Sequence, residues 1–272
     1  MDRPRINDAA PSRSHRACDI ESRCRERTGC ASMNGRAGRW PNPWDAPSTA
    51  EEGIADCGAP IIRGSKLYIP EFNRLKDHAL ALAFMKANPF AIMVSAAAGS
   101  PFATHIPILA SEAGDRILLR GHVARANPHW KLLEEERESL VIFHGPHAYI
   151  SPSLYGSRES VPTWNYAAVH ASGPARVFEE PEPVTEVLLE TIAAFEPAYL
   201  EQWQELNEKY RARMLSQIVG FEIAVERLEA KFKLSQNRPR ADQARVIQSL
   251  ESSDDSAIAG IAQLMKNQGL GA

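Results

Sequence analysis

Residues 90–123 read FAIMVSAAAGSPFATHIPILASEAGDRILLRGHV. The run FAIMVSA is apolar, partly β-branched and short, which predicts a buried strand. AAGS then supplies a turn and PFATHIPIL a second strand, so the pair forms a hairpin. After the turn SEAGD, DRILLRGHV predicts a third strand. Strands joined by turns this short pair antiparallel, because a parallel pair needs a long crossover.

Working outward, Arg74 to Asn88 carries Leu75, Ala79, Leu82, Phe84 and Met85 close to a helical period, and Asn88-Pro89 ends that helix. NPHWKLLEEE opens a helix with Asn127 as N-cap and Pro128 in the first turn. SLVIFHG predicts a fourth strand, AYISPSLY an extended stretch, and TWNYAAVHASGPARVF a long fifth strand with period-two alternation. Two helices follow, near Pro183–Glu196 and Gln204–Gln217. VGFEIAVERLEA is the last strand, alternating Phe221, Ile223 and Val225, and two terminal helices close the chain, the second with Ile258, Ile261 and Leu264. A meander with inserted helices argues an α+β protein with a six-stranded barrel. With neither G-x-G-x-x-G nor a phosphate-binding P-loop, Rossmann and P-loop readings lose.

Residues 1–66 differ in kind. They are rich in Arg, Pro, Ser, Gly and Ala and hold all four cysteines, Cys18, Cys24, Cys30 and Cys57. That composition predicts a disordered extension, since so little apolar surface cannot offset ordering entropy. The segment carries eleven basic and nine acidic residues, leaving twenty basic and twenty-five acidic over 67–272. A body of net −5 is a poor binder of nucleic-acid backbones. No apolar run reaches the roughly 20 residues of a membrane span, and no secretory leader is visible, so a cytoplasmic location is expected.

Six of the eight histidines fall between 105 and 170: His105, His122, His129, His144, His147 and His170. They lack the helical spacing and carboxylates of H-E-x-x-H, so a metal is not expected, while haem ligation stays open. Tyr149, Tyr155, Trp164, Asn165 and Tyr166 surround a Gly- and Pro-rich loop. They read either as core aromatics or as a stacking surface for a planar ring. In RGHVARANPHWK, Arg120, Arg125 and Lys131 surround a helix start, where free N–H groups favour an anion. A third donor-rich stretch, KFKLSQNR, spans Lys231 to Arg238.

From Leu67 to about Gln248 the chain resembles the PaiB family of FMN-binding negative transcriptional regulators. The resemblance rests on YIPEFN, ATHIPIL, GHVARANPHW, FHGPHAYISPSLY, VPTWNYAAVHASG, IVGFEI and KFKLSQNR. It implies a six-stranded antiparallel split β-barrel of the pyridoxine-phosphate-oxidase type, a homodimer, and FMN between the two chains. It further implies that 67–272 is the FMN-binding domain with C-terminal helices, and that Leu67 stands at the family's Met-Tyr-x-Pro start, making 1–66 a misassigned extension. Mapped on the motifs, Thr104 and His105 stand where split-barrel relatives carry a phosphate-binding arginine. Arg120, His122, Asn127, Trp130 and Lys131 fall in the phosphate region. Trp164 and Asn165 fall on the strand lining the flavin, and Lys233, Ser235, Gln236 and Asn237 in the segment that reaches the cofactor across the dimer. No helix-turn-helix signature is present, so direct DNA binding is not expected. A flavin oxidoreductase and a haem-binding split-barrel protein are the competing readings.

Overall fold

Strand β2 (Phe90–Ala97) and strand β3 (Ser100–Pro107) form the expected hairpin, with Ala97 opposite Ser100. The second predicted strand then divides. Ile108 turns its N–H to the carbonyl of Pro89, 2.8 Å away, and the chain resumes as β4 (Leu109–Ala113). β4 pairs not with β2 but with β5 (Arg116–Ala124), across a two-residue turn. Gly114 occupies the first turn position with φ of 61°, which a type II′ hairpin requires and glycine adopts freely. The computed structural model describes residues 67–97, 100–134 and 138–272, all within one compact unit; the expectations for 1–66 lie outside them.

The sheet is antiparallel throughout, with the path β3-β2-β6-β7-β8-β5-β4. Its middle is β6 (Glu138–Ile150) beside β7 (Thr163–Phe178). The predicted fourth strand and the extended stretch after it are therefore one strand, bulged between His144 and His147. β7 keeps β6 on one edge and changes partner on the other. Tyr166 to Ser172 pair with β9 (Arg227–Lys233), and Ala175 to Phe178 with β8 (Ile218–Ala224). The single final strand expected from sequence is thus two, broken at Val225-Glu226. A two-residue strand, β1 (Arg74–Leu75), extends β9.

This accounts for nine strands where six were expected. β3 and β4 are one bent strand exchanging partners at Ile108, and β9 with β1 forms a flap added to β7. The ladder does not close by hydrogen bonds. Its two ends, β3 and β4, are joined by the chain itself, which gives the split arrangement.

Helices cover the sheet. Helix α1 (His78–Ala87) starts later than its periodicity suggested, because Arg74 and Leu75 belong to β1 and the Asp77 carboxylate accepts from the N–H of Leu80. Asn88 ends it as expected, with φ of −128°. Helix α2 (His129–Leu133) follows β5 and starts one residue later than expected, with Pro128 at its cap position, while the Asn127 side chain still accepts the His129 N–H. Between β7 and β8 lie α3 (Pro181–Phe195), α4 (Tyr199–Glu205) and α5 (Glu208–Leu215). The expected second helix of this insertion is split at Leu206-Asn207, where the Asn207 side chain caps α5. Helices α6 (Arg240–Glu251) and α7 (Ser256–Asn267) close the chain. Met93, Phe143, Phe221 and Met265 are fully buried in the main core, while Phe178, Val184 and Val187 form a smaller one under α3.

The partner exchange on β7 rests on Gly173. A Cβ there would lie 1.9 Å from the backbone carbonyl oxygen of Ala224. Gly173→Ala should therefore destabilise the fold by about 3 kcal/mol or more. Differential scanning calorimetry should show a loss of at least roughly 6 °C in Tm; an unchanged Tm would refute the close crossing.

Candidate flavin site

The chain after β5 turns at Asn127, and this turn ties four elements together. The Asn127 amide donates to Thr104 Oγ1 on β3 at 3.2 Å, and its Oδ1 accepts the His129 N–H at 3.0 Å. Thr104 Oγ1 lies 2.8 Å from His129 Nδ1, and His129 Nε2 lies 3.0 Å from Ser95 Oγ on β2. Ser95 in turn bonds Ser139 on β6 at 2.7 Å. His129 is fully buried, with the ring of Phe102 edge-on at 5.1 Å, and burial pushes its pKa down to about 4. A neutral imidazole has one donor and one acceptor, which matches the two hydroxyls that flank it. The result is a fixed turn presenting Thr104, Asn127 and Lys131 at one end of the sheet.

The remaining residues of this region divide by their partners. Lys131 is exposed, makes no ion pair among the described residues, and holds its ammonium 5.5 Å from the ring centre of Trp130. Trp130 donates its indole N–H to the carbonyl of Arg125 at 3.0 Å. His105 is exposed on β3, its ring 6.5 Å from that of Phe90. The guanidinium of Arg120 is taken by two carboxylates, Glu222 at 2.7 Å and Glu190 at 2.6 Å. His122 is largely buried, its Nδ1 without a partner, and burial lowers its pKa.

A second cluster sits where β6 ends and β7 begins. Tyr149 and Trp164 are cross-strand partners and both about half exposed, at 52% and 53%. Their rings meet edge to face at 6.2 Å, and the His147 ring lies 5.7 Å from that of Trp164. Lys233 at the end of β9 donates to Thr163 Oγ1, and burial lowers its pKa. Beside this exposed edge, Asn165 is buried and donates to Ser235 Oγ at 2.9 Å, with Ser235 in the left-handed region at φ of 62°. Gln236 folds back, donating to the Phe232 carbonyl and accepting from the Leu234 N–H, while Asn237 is exposed. Much of the donor-rich stretch Lys231–Arg238 is thus consumed within the fold. Lys231 bonds the Tyr68 carbonyl at 2.8 Å between the rings of Tyr68 and Tyr166, and Arg238 stacks 4.0 Å over Tyr155.

The structure brings Thr104, Asn127, Trp130 and Lys131 together, and Trp164 with Lys233, but it does not join the two groups. His105 lies opposite Ile92, which lies opposite Ile142 on β6; Trp164 lies opposite Tyr149 on the same strand. Counted on the facing strand β7, from His170 to Trp164, the separation is six residues, roughly 20 Å at about 3.3 Å each. His129, Ser95 and Ser139 were not legible as a unit from sequence, because three elements far apart in the chain supply them. Among the described residues no group of three or more His, Cys, Asp or Glu side chains is placed to hold a metal.

A bent antiparallel sheet that exchanges partners along its long strands is a split-barrel architecture. The family model described as "Putative FMN-binding domain" matches residues 67–227. The chain belongs to this FMN-binding family, which establishes the PaiB-type resemblance. It is 38% identical over 204 residues to "Protease synthase and sporulation protein PAI 2" of Bacillus subtilis (strain 168), covering 74% of this chain and 98% of that protein. It is 30% identical over 227 residues to the uncharacterized protein AN0679 of Emericella nidulans, covering 68% and 90%. Among solved structures, the flavocytochrome Anf3 from Azotobacter vinelandii is similar with TM-score 0.46 and 18% identity, over 61% of this chain and 72% of that one. An FAD and heme binding protein from Mycobacterium smegmatis also gives 0.46, at 15% identity over 59% and 73%.

The buried His129 makes stability pH-dependent. The unfolded chain takes up this proton near 6.5 and the folded chain near 4. The contribution is therefore complete above pH 6.5 and is lost as pH falls towards 4. Burial also lowers His122 and His170, with the same sign. Urea titrations between pH 6.5 and 5 should show wild type losing more stability than His129→Gln, by at most about 1.4 kcal/mol per pH unit. In NMR of the native wild-type protein the His129 ring should stay neutral throughout that range. A ring titrating near pH 6.5, or parallel stability curves, would exclude the closed relay.

Proposed function

We propose that this chain binds FMN as a homodimer and serves as a PaiB-type negative regulator of gene expression that does not itself grip DNA. The observation that carries the reading is the 38% identity to the PAI 2 protein over 98% of its length, with the motif residues gathered into two half-sites. FMN fits these residues in two parts. Lys131, with Thr104 and Asn127 fixed behind it, offers charge and hydrogen bonds to a phosphate. Trp164, Tyr149 and His147 offer an exposed aromatic edge to a planar ring. When bound, FMN supplies one- and two-electron redox chemistry; the chain's own residues orient it and limit its exposure to water.

The separation of the half-sites supports the dimer. One small cofactor does not bridge roughly 20 Å of strand, so one chain would contribute the phosphate turn and its partner the aromatic edge. Arg120 is set aside from the phosphate in this reading because two carboxylates already neutralise it. Asn165, Ser235 and Gln236 support the site by fixing the segment after β9, and Lys233, His105 and Asn237 remain near its rim.

The purified protein should show flavin absorption bands. Acid precipitation should leave all the colour in the supernatant, since the domain after residue 66 has no cysteine to hold flavin covalently. Light scattering at micromolar concentration should give a dimer. Lys131→Met and Trp164→Ala should each weaken FMN binding about tenfold, the loss of one charged or stacking contact of roughly 1.4 kcal/mol. A Soret band in place of flavin bands would favour the haem reading, and a flavin-loaded monomer would refute the shared site.

The basic residues near the C-terminal helix give no continuous face for DNA. Arg245 is paired with Asp242, Arg240 is bonded to the Ala272 carbonyl, and Arg238 lies over Tyr155. A protein beginning at Leu67 should therefore bind neither promoter DNA nor random DNA of equal length tightly in gel shifts at physiological salt. Nanomolar, sequence-selective retardation would overturn this part and restore direct repression.

A further inference from the structure

A cavity of about 490 Å³ opens between the helical insertion and the end of β7. Neither flavin half-site draws on it. Its apolar wall comes from Val184 on α3, Trp203 on α4 and Leu215 on α5; Val184 and Trp203 are almost entirely buried. Two arginines reach it. Arg125 is fully engaged: its guanidinium pairs with Glu179 and donates to the carbonyls of Ser216, at 2.8 Å, and Ile218, at 3.4 Å. Arg211 is not. It forms no ion pair among the described residues, and its Nε is buried without an acceptor.

Arg211 as a whole is half-buried, with only its Nε cut off from solvent, and its guanidinium is a fixed positive charge. Its terminal N–H groups are not among the buried atoms, and a carboxylate that accepts from them pairs with the charge. The remaining charges narrow the choice. Glu179 is balanced by Arg125, but Glu208 stands one turn before Arg211 on α5 at the cavity wall. Its carboxylate repels any anion, but a dianion more than a monoanion whose single charge Arg211 balances. The volume suits a small organic molecule, and Val184, Trp203 and Leu215 supply apolar lining beside the arginines.

We propose that this cavity binds a small organic monocarboxylate, its carboxylate on the Arg211 guanidinium and its aliphatic or aromatic body against Val184, Trp203 and Leu215. Phosphate lacks the apolar body, and a dicarboxylate meets Glu208. The site is independent of FMN, so it stands or falls separately from the flavin reading.

Isothermal titration of the full chain with benzoate, hexanoate, succinate and inorganic phosphate tests this. Benzoate or hexanoate should bind with a Kd below about 1 mM, and at least tenfold more tightly than succinate or phosphate. Arg211→Gln should weaken the monocarboxylate at least tenfold, and Thr185→Trp, which fills the cavity but keeps Arg211, should abolish binding. Glu208→Gln should narrow the margin over succinate. Circular dichroism and FMN titration of each variant report that the fold and the flavin site are intact. No heat from either monocarboxylate, which means a cavity holding water alone, overturns the proposal. So does tighter phosphate binding, or unchanged affinity in folded Arg211→Gln and Thr185→Trp variants.

Discussion

The chain passing from β8 to β9 crosses over Gly173 so closely that the Ala224 carbonyl occupies the space of a missing side chain. The crossing is held by two backbone hydrogen bonds, Val225 N–H to the Ile117 carbonyl and Glu226 N–H to the Ser172 carbonyl, both at 2.9 Å. It lets β7 serve two neighbours in succession on one edge. Without it β8 and β9 would run on as one strand, and the edge carrying Trp164 and Lys233 would be separated from the barrel half carrying β5 and the Asn127 turn. A single absent Cβ thus allows one polypeptide to build both halves of the candidate site.

Sequence patterning reveals faces more readily than partners. The hairpin of residues 90–107, the end of α1 at Asn88 and the turn at Asn127 were all legible, because each is fixed by residues adjacent in the chain. The partner exchanges at Ile108 and Gly173 were not. Alternation with period two continues through a partner change unaltered, since it records which side chains point inward and not which strand lies alongside. In the final strand the phase does slip, from Phe221, Ile223 and Val225 to Leu228, Ala230 and Phe232, so the break at Val225-Glu226 left a trace in the sequence that reading VGFEIAVERLEA as one strand passed over. The split of the insertion helix at Asn207 is a local signal, an asparagine able to cap, that the continuous polar run around it obscured.

The site was legible to the extent that its motifs cluster in the chain. Thr104 and Asn127 were both candidates, and the structure bonds them directly. His129 entered the sequence reading only as one histidine of six. Its burial between Ser95 and Thr104 depends on strands brought together from elsewhere, and no spacing rule reports that. The donors after β9 show the converse. Their density suggested a ligand, yet Ser235, Gln236 and Lys231 mainly satisfy carbonyls and amides of their own fold. A donor-rich segment that ends a sheet edge has many backbone acceptors to satisfy before any remain for a cofactor.

Electrostatics reinforce that division of labour. In this acidic domain several arginines lie beside carboxylates: Arg120 with Glu190 and Glu222, Arg125 with Glu179, Arg227 with Glu138 and Glu229. Such pairs fix geometry more than they add stability, since partly exposed ion pairs contribute little. Arg125 shows what the fixing achieves. Its guanidinium anchors the end of β7 and the start of β8, while its own N–H donates to the Gln217 carbonyl at 2.8 Å and its carbonyl accepts from Trp130. The turn between β5 and α2 is therefore held from both sides before any anion arrives. Asn127 and Lys131 follow directly on that anchored backbone. In the proposed reading, binding there need not bear the entropy of ordering a loop, which is what an exposed lysine and two neutral side chains would require to hold a phosphate.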